Sequence, residues 1–220
     1  MREMLTEDAA IAIQEALKSQ VIATDILPDP IKIIAGADVE YDKDSNLIAG
    51  SIVLLDYTTL QVIAVASHCM EATFPYIPGL FSFREMPSLL RAYEKLPVQP
   101  DLIICDGQGI AHQRRFGLAA HFGVTLNKPV IGCGKTKLCG EYQDLGAARG
   151  SIAPLMDPEQ IGNALRTQDN INPVFVSVGH KISLPTATNI VLQMCTQYRL
   201  PETTRLADHY ARLALLEHKK

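Results

Sequence analysis

The feature of the sequence that most constrains the fold is a change of pattern along the chain. Three runs rich in isoleucine and valine come first, at Ile31–Glu40, Leu47–Asp56 and Leu60–Ala66, and only short gaps separate them. Runs of this kind predict an antiparallel meander of two consecutive hairpins. After residue 88, helical and strand-like segments alternate instead. A meander followed by such alternation predicts an α/β domain with a mixed sheet flanked by helices.

Within the alternating part, Asp101–Asp106 is almost wholly apolar, which is typical of a strand buried on both faces. Further short strands are predicted at Pro129–Gly132 and Pro173–Val178. At Asp157, a good N-cap residue is followed by a proline, and this pair predicts the start of a helix. The predicted helices are Thr6–Gln20, Ser88–Lys95, Arg114–Phe122, Asp157–Thr167, Ala187–Tyr198 and Thr203–His218. Among known folds, this order of elements resembles the ribonuclease H-like architecture.

Composition sets the remaining bounds. The chain has 220 residues, 47% of them hydrophobic, which is enough for the core of a single domain over residues 1–220. No apolar run reaches the roughly 18 residues that a membrane span needs, and the polar start has no secretory signal pattern. Five cysteines without Cys-x-x-Cys spacing disfavour a zinc site and a disulfide framework. We therefore expect a cytoplasmic protein that makes no membrane contact and has no obligate protein partner.

The net charge of −4 argues mildly against a nucleic-acid partner, because affinity for phosphates comes from lysine and arginine. Local clusters matter more than the sum. Arg114 and Arg115 form one such cluster, and Lys128, Lys135 and Lys137 form another. Taken alone, both clusters are best interpreted as solvated surface.

Two acids stand out by their position on strands. Asp38 lies within the first apolar strand, and Asp106 ends a buried strand and is followed by Gly107. A carboxylate is costly to bury unless it is paired or binds a metal. Asp106 as the start of a turn is the alternative, and for two such acids on neighbouring strands the two interpretations stand about level. Converging carboxylates suit Mg²⁺, which can polarise a phosphoryl oxygen of a phosphodiester.

A third acid, Glu85, ends the segment Phe81–Glu85, just before the predicted helix Ser88–Lys95. It is a candidate for the same centre. Ser82 stands three residues before it, however, and this spacing also fits a capping box at a helix start.

Around these acids the sequence resembles endonuclease V. The resemblance runs from about Ile31 to the segment that ends at Asp208, with a motif-bearing region of about 31–210. The most specific blocks are Pro-Tyr-Ile-Pro-Gly and Asp-Gly-Gln-Gly. The motifs occur in the family's order at Gly36–Val39, Pro75–Gly79, Phe83–Glu85, Asp106–His112, Gly134–Lys135 and Thr204–Asp208.

The resemblance implies a ribonuclease H-like fold and a deoxyribonuclease that repairs deaminated DNA. Such an enzyme uses Mg²⁺, for which Mn²⁺ is expected to substitute. It cleaves the second phosphodiester on the 3′ side of deoxyinosine and leaves a 3′-hydroxyl and a 5′-phosphate. Inosine-containing RNA stays open as a substrate. The residues that the resemblance implicates in catalysis or metal binding are Asp38, Glu85, Asp106, His112, Lys135 and Asp208.

The same resemblance places Tyr76 as a wedge at the lesion and Gly79 and Gly107 in the wall of a pocket for the flipped base. Expelling a mispaired base from the stack costs least, and glycine lets backbone approach a ligand closely. The expected lesion-binding residues are Pro75, Tyr76, Ile77, Pro78, Gly79 and Gly107.

Each of these assignments has a plainer alternative. Tyr76 could be a core aromatic, His112 a surface residue at a helix start, and Lys135 a solvated lysine. His209, next to Asp208, leaves open which of the two reaches the metal. The rival functions are a ribonuclease H-like nuclease acting on RNA, hybrid or branched nucleic acid, and a non-catalytic nucleic-acid binding module.

Overall fold

A computed structural model describes residues 5–219 of the chain. In this part the chain forms an eight-stranded mixed sheet with helices on both faces. The strands are β1 Ile33–Tyr41, β2 Leu47–Asp56, β3 Val62–Glu71, β4 Leu102–Cys105, β5 Val130–Gly134, β6 Ile152–Asp157, β7 Glu159–Leu165 and β8 Val174–His180. The helices are α1 Glu7–Leu17, α2 Phe81–Glu94, α3 Leu118–Leu126, α4 Leu184–Met194 and α5 Glu202–His218, with a short 3-10 turn after α1.

The strand order is β3-β2-β1-β4-β5-β8-β7-β6. The predicted meander is confirmed, because β1, β2 and β3 pair antiparallel in succession. β4 lies parallel to both β1 and β5 in the centre of the sheet. The chain is therefore an α/β domain with a mixed sheet, as the pattern predicts.

The central strand β4 is covered on both sides. Ile103 packs in a cluster with Leu89 of α2 and Phe122 of α3, whereas Ile104 packs in a cluster with Val191 of α4 and residues of α5. Successive side chains of a strand point to opposite faces, so an all-apolar strand needs a helical layer on each side. Helix α5 approaches so closely that a Cβ at Gly36 would lie 2.0 Å from the Thr203 carbonyl oxygen.

The predicted helix at Asp157–Thr167 is wrong, since β6 and β7 form a hairpin that turns at Pro158. The acids beside this proline do not begin a helix. Asp157 and Glu159 instead pair with Arg115, at 3.2 Å and 2.6 Å. In β6, buried and exposed residues alternate, which is the period of a strand with one face on the core.

Three helix starts also differ from the prediction, and one of them is α4, which begins at Leu184 rather than Ala187. α2 begins at Phe81 rather than Ser88, so Ser82 lies inside the helix and the capping box with Glu85 is wrong. α3 begins at Leu118, and the preceding arginines lie in a turn in which Arg115 has a φ of 57°. α1 agrees well, since the Thr6 hydroxyl accepts from the Ala9 amide and caps the helix as predicted. None of the helices described here is long and apolar enough to cross a membrane.

Candidate active site

The parallel pairing of β1 and β4 brings the two predicted aspartates together. Ala37 lies opposite Cys105 in the register, and the Asp106 amide donates to the Ala37 carbonyl at 2.9 Å. Asp38 and Asp106 each follow this pair by one residue. Their carboxylates are consequently neighbours at the edge where parallel strands end, which is the usual place for a site in an α/β sheet.

Lys135 and Asp208 complete the centre from two other elements. Lys135 follows β5, and its ammonium pairs with Asp106 and lies 3.6 Å from an Asp38 oxygen. It also lies 3.7 Å from an oxygen of Asp208, on α5. His209 is exposed and packs beside Tyr210. Asp208, and not His209, therefore faces the centre.

Glu85 reaches the centre from the first turns of α2. Its carboxylate accepts a hydrogen bond of 2.7 Å from the Tyr41 hydroxyl. Burial raises the pKa of Glu85, the Tyr41 hydrogen bond opposes the rise, and the charge of Asp106 adds to it, so that the pKa lies at about 7. We refer to Asp38, Glu85, Asp106 and Asp208 as the carboxylate cluster.

The electrostatics of the cluster reflect crowded negative charge. Burial raises the pKa of Asp38, and the neighbouring charge of Asp106 raises it further. Burial lowers the pKa of Lys135, but the charges of Asp38 and Asp106 outweigh this, so its pKa lies above the ordinary lysine value. Lys135 is therefore a firmly charged ammonium. Together with Arg212, which lies 3.0 Å from an Asp208 oxygen, it faces up to four carboxylates.

The donor set fits a hard divalent cation by its chemistry. Carboxylate oxygens with surplus negative charge are the ligands that Mg²⁺ prefers. Across residues 5–219, no three His, Cys, Asp or Glu side chains stand close enough together to hold a metal ion in their present positions. In this structure the Lys135 ammonium contacts Asp106 and balances part of the negative charge of the carboxylates.

A cavity of about 270 Å³ opens beside the cluster. Glu85, Asp106 and Lys135 form one side of it. The other sides come from the loop before α2, from the loop between β4 and α3, and from the segment after β5. These further lining residues are Gln14, Gly79, Phe81, Ser82, Gly107, Gln108, His112, Gly117, Leu118, Gly134, Thr136 and Leu138.

Tyr76 stands exposed on the loop before α2. Its side chain is among the most exposed large apolar groups of the described chain, at 65%, so the interpretation as a core aromatic is wrong. One face of the ring packs against Phe81, with ring centroids 4.6 Å apart and ring planes inclined by 32°. Ile77 is half-buried beside Phe74 and Leu80, which anchors the loop from below. The loop therefore holds an aromatic ring outward on a fixed base.

His112 is buried rather than a surface residue at a helix start. Its Nδ1 accepts from the Arg114 amide at 3.1 Å, so the proton is on Nε2, which lies 3.0 Å from the Gly79 carbonyl oxygen. Burial, and then the charge of Arg114, lowers the pKa of His112 to about 4. The ring is thus a neutral donor that fixes the cavity wall.

The sequence reasoning missed two residues of this site. Tyr41 holds Glu85, and its only signal was an aromatic at the end of the strand that carries Asp38. Gln14 lines the cavity from α1 although it is distant in sequence from every other lining residue. Its signal was a polar side chain one turn after Ala10, on the face of α1 that an amphipathic helix buries.

Comparison with known proteins places the chain in a family. The model of the endonuclease V family matches residues 15–209. An endonuclease V of Trichormus variabilis is 48% identical over 208 residues, which is 94% of each chain.

Solved structures agree. The endonuclease V of Streptomyces avermitilis has a TM-score of 0.93 at 46% identity, covering 98% of this chain and 95% of that one. An endonuclease V of Ciona intestinalis, in complex with DNA containing an inosine followed by a ribo-adenosine, has a TM-score of 0.81 at 27% identity. That match covers 94% of this chain and 96% of the other. The chain belongs to the endonuclease V family of nucleases.

Proposed function

We propose that this nuclease recognises deoxyinosine in DNA and cuts the damaged strand at the second phosphodiester on the 3′ side, with Mg²⁺ as cofactor and Mn²⁺ as a substitute. One observation supports it most. An exposed aromatic ring on a stiff loop, a cavity of about 270 Å³ and a carboxylate cluster lie side by side at one end of the sheet. A lesion nuclease needs a probe, a pocket and a cutting centre next to each other.

The recognition half would rest on the loop and the cavity. Extruding a mispaired base costs less than extruding a paired one, so deaminated adenine favours flipping. Tyr76 would then stack where the base has left. The cavity would take the base itself, and we refer to it from here as the lesion pocket. Its volume of about 270 Å³ comes with walls of backbone at Gly79 and Gly107, which can approach a flat ring closely.

The cutting half would rest on the carboxylate cluster. Asp38 and Asp106 would hold Mg²⁺, with Glu85 and Asp208 around it. A bound Mg²⁺ would supply charge stabilisation on the phosphoryl group and make water more acidic. Lys135 carries a fixed positive charge at the same place and would contact the scissile phosphate. Tyr41 would keep Glu85 aimed at the centre through its hydrogen bond.

The relative from Ciona intestinalis supports a second candidate substrate. Its DNA carries a ribo-adenosine after the inosine. A ribonucleotide at that position is therefore compatible with binding in that protein, and inosine-containing RNA is the second candidate substrate here. Action in the cytoplasm stays a prediction from the sequence.

One experiment tests the proposal. The purified protein is incubated with Mg²⁺ and end-labelled duplexes that carry a single deoxyinosine, uracil, a mismatch, or inosine followed by a ribonucleotide, and the cut is mapped. We expect a single nick two phosphodiesters 3′ of the inosine. Cutting at random positions, or cutting that continues in excess EDTA, would overturn the proposal.

A further inference from the structure

The N-terminal helix α1 stands apart from the sheet, yet it supplies a fully buried polar side chain. Gln14 has no exposed surface. A buried amide is costly unless its hydrogen-bonding groups are satisfied. The partners of Gln14 therefore show what this helix is built to hold.

Of those partners, Gly79 lines the lesion pocket, and Phe116 directly precedes the lining residues Gly117 and Leu118. The Gln14 Nε2 donates to the carbonyl of Gly79 at 3.0 Å and to the carbonyl of Phe116 at 3.0 Å. Gly79 ends the loop of Tyr76, and Phe116 ends the loop that follows Asp106. One amide group thus ties the loop that carries Tyr76 to the loop between β4 and α3.

The Gly79 carbonyl is the focus of a wider network. Besides Gln14, it accepts from Arg114 Nη2 at 2.8 Å and from His112 Nε2 at 3.0 Å. Arg114 Nε donates in turn to the Gln14 side-chain oxygen. Gly79 has a φ of +80°, in the left-handed region that glycine adopts without steric cost.

The apolar face of α1 packs on the same loop. Ala10 is fully buried against Phe74 and Leu80, and Ile11 and Ile77 pack around them. Helix α1 therefore contacts the Tyr76 loop through apolar packing and through Gln14 together. It makes no comparable contact with the carboxylate cluster within the described residues.

We propose that α1 is a specificity element, and that Gln14 is a positioning residue which, with Arg114, fixes the Gly79 wall of the lesion pocket. This inference rests on the proposed function of that pocket. Its consequence is a separation of roles. Loss of Gln14 loosens the pocket and weakens the preference for the lesion, while the carboxylate cluster continues to cut bound DNA.

The test replaces Gln14 with methionine, which keeps the length of the side chain and removes its hydrogen bonds. Glu15→Met is the matched control, because Glu15 is the next residue of the same helix and is exposed. Arg114→Met removes the network from its other side and serves if Gln14→Met fails to fold. The affinity for inosine and undamaged duplexes is measured in Ca²⁺, and single-turnover nicking is measured at saturating inosine DNA in Mg²⁺.

We expect the affinity ratio between inosine and undamaged duplexes to fall about tenfold in Gln14→Met and Arg114→Met. This factor corresponds to the loss of one or two hydrogen bonds. Saturated nicking stays within about threefold of wild type, and Glu15→Met matches wild type. Equal weakening on both duplexes would assign Gln14 to general support of the fold and overturn the inference.

Amide hydrogen exchange over residues 75–83 gives a readout that is independent of DNA. The Leu80 amide donates to the Ile77 carbonyl in this segment, and its exchange reports on the loop. Faster exchange in Gln14→Met, but not in Glu15→Met, supports the positioning role. Unchanged exchange overturns it. A wild-type protein without any preference for inosine would refute the proposed function instead, and the exchange comparison would still decide whether Gln14 holds the wall.

Discussion

The carboxylate cluster and the lesion pocket lie side by side but are held in different ways. Asp38 and Asp106 follow paired positions of two central strands, so backbone hydrogen bonds of the sheet set their separation. The pocket walls are loops, and long-range side-chain contacts such as those of Gln14 set their positions. Strands fix geometry more firmly than loops do. The proposed chemistry would therefore rest on the rigid part of the fold, and the proposed recognition on loops that side-chain contacts hold in place.

The largest expected effect comes from the cluster itself. Asp106→Asn and Asp38→Asn keep the shape of the side chain but remove charge that would hold Mg²⁺. We expect the nicking rate to fall by more than about a hundredfold. Mutation of residues that only hold a metal ligand in place already lowers metal affinity or activity by about 10–100-fold. DNA affinity in Ca²⁺ should change much less, and thermal stability should hold or rise because repulsion between the acids is relieved.

Glu94→Gln on the exposed end of α2 is the control for these variants, because it removes a carboxylate far from the cluster. Near wild-type nicking by either aspartate variant would show that this residue is not a metal ligand. A loss of folded protein in both variants would show that the buried carboxylates stabilise the fold instead of costing stability.

The second effect is a pH dependence of stability that comes from a histidine on the pocket side. His121 lies beneath the pocket walls, where its ring contacts the Ser82 hydroxyl at 3.1 Å. Burial lowers the pKa of His121 to about 4 from an ordinary value of 6.5. Between pH 6.5 and 4, His121 therefore binds a proton in the unfolded chain but not in the folded chain. The contribution of His121 to stability is complete above pH 6.5 and is lost as pH falls from 6.5 towards 4, by up to about 3 kcal/mol.

Urea unfolding at pH 7, 5.5 and 4.5 measures this loss. His121→Gln lacks the titrating ring but retains a group that can bond to Ser82, so its unfolding free energy should fall less over the same range. Parallel curves for the variant and the wild type would show that His121 does not carry the acid sensitivity.

The third effect concerns Tyr76. Stacking of an aromatic side chain on a base contributes about 1–3 kcal/mol, so Tyr76→Ala should lose roughly one to two factors of ten in affinity for inosine DNA. It should lose much less for undamaged DNA, in which no base is flipped. Tyr76→Phe should keep most of the affinity because the ring fills the gap. Equal losses on both duplexes in Ca²⁺ would contradict the wedge role.

These two regions also differ in how far the sequence predicts them. The strand runs and the acids at their ends are local signals, so Asp38, Asp106 and the meander follow from the residues themselves. The partnership of Gln14 with Gly79 and Phe116 joins residues 65 and 102 positions apart, and no local pattern encodes it.

The wrong helix at Asp157 has a similar cause. An acid followed by a proline also suits the hairpin turn between β6 and β7, and Arg115, far away in sequence, decides between the two structures. Helix α2 began earlier than predicted because Ser82 and Glu85 have tertiary partners in His121 and Tyr41. Local propensity yields where a tertiary contact competes with it.

The smallest expected effect concerns Lys135 in the carboxylate cluster. It shows whether the cluster contributes to recognition of the damaged base. Lys135 keeps a fixed positive charge beside Asp106. Lys135→Ala should weaken nicking and reduce the slope of log affinity against log salt by about 0.9, the share of one phosphate contact. The change should be equal on inosine and undamaged duplexes, because a phosphate carries no information on the base. Lys32→Ala is the control, since Lys32 is exposed and precedes β1 at the opposite end from Asp38. An unchanged slope for Lys135→Ala would restrict this lysine to balancing the carboxylates. A larger loss on inosine DNA than on undamaged DNA would show that the cluster takes part in recognition, and would remove the division of labour between the two regions.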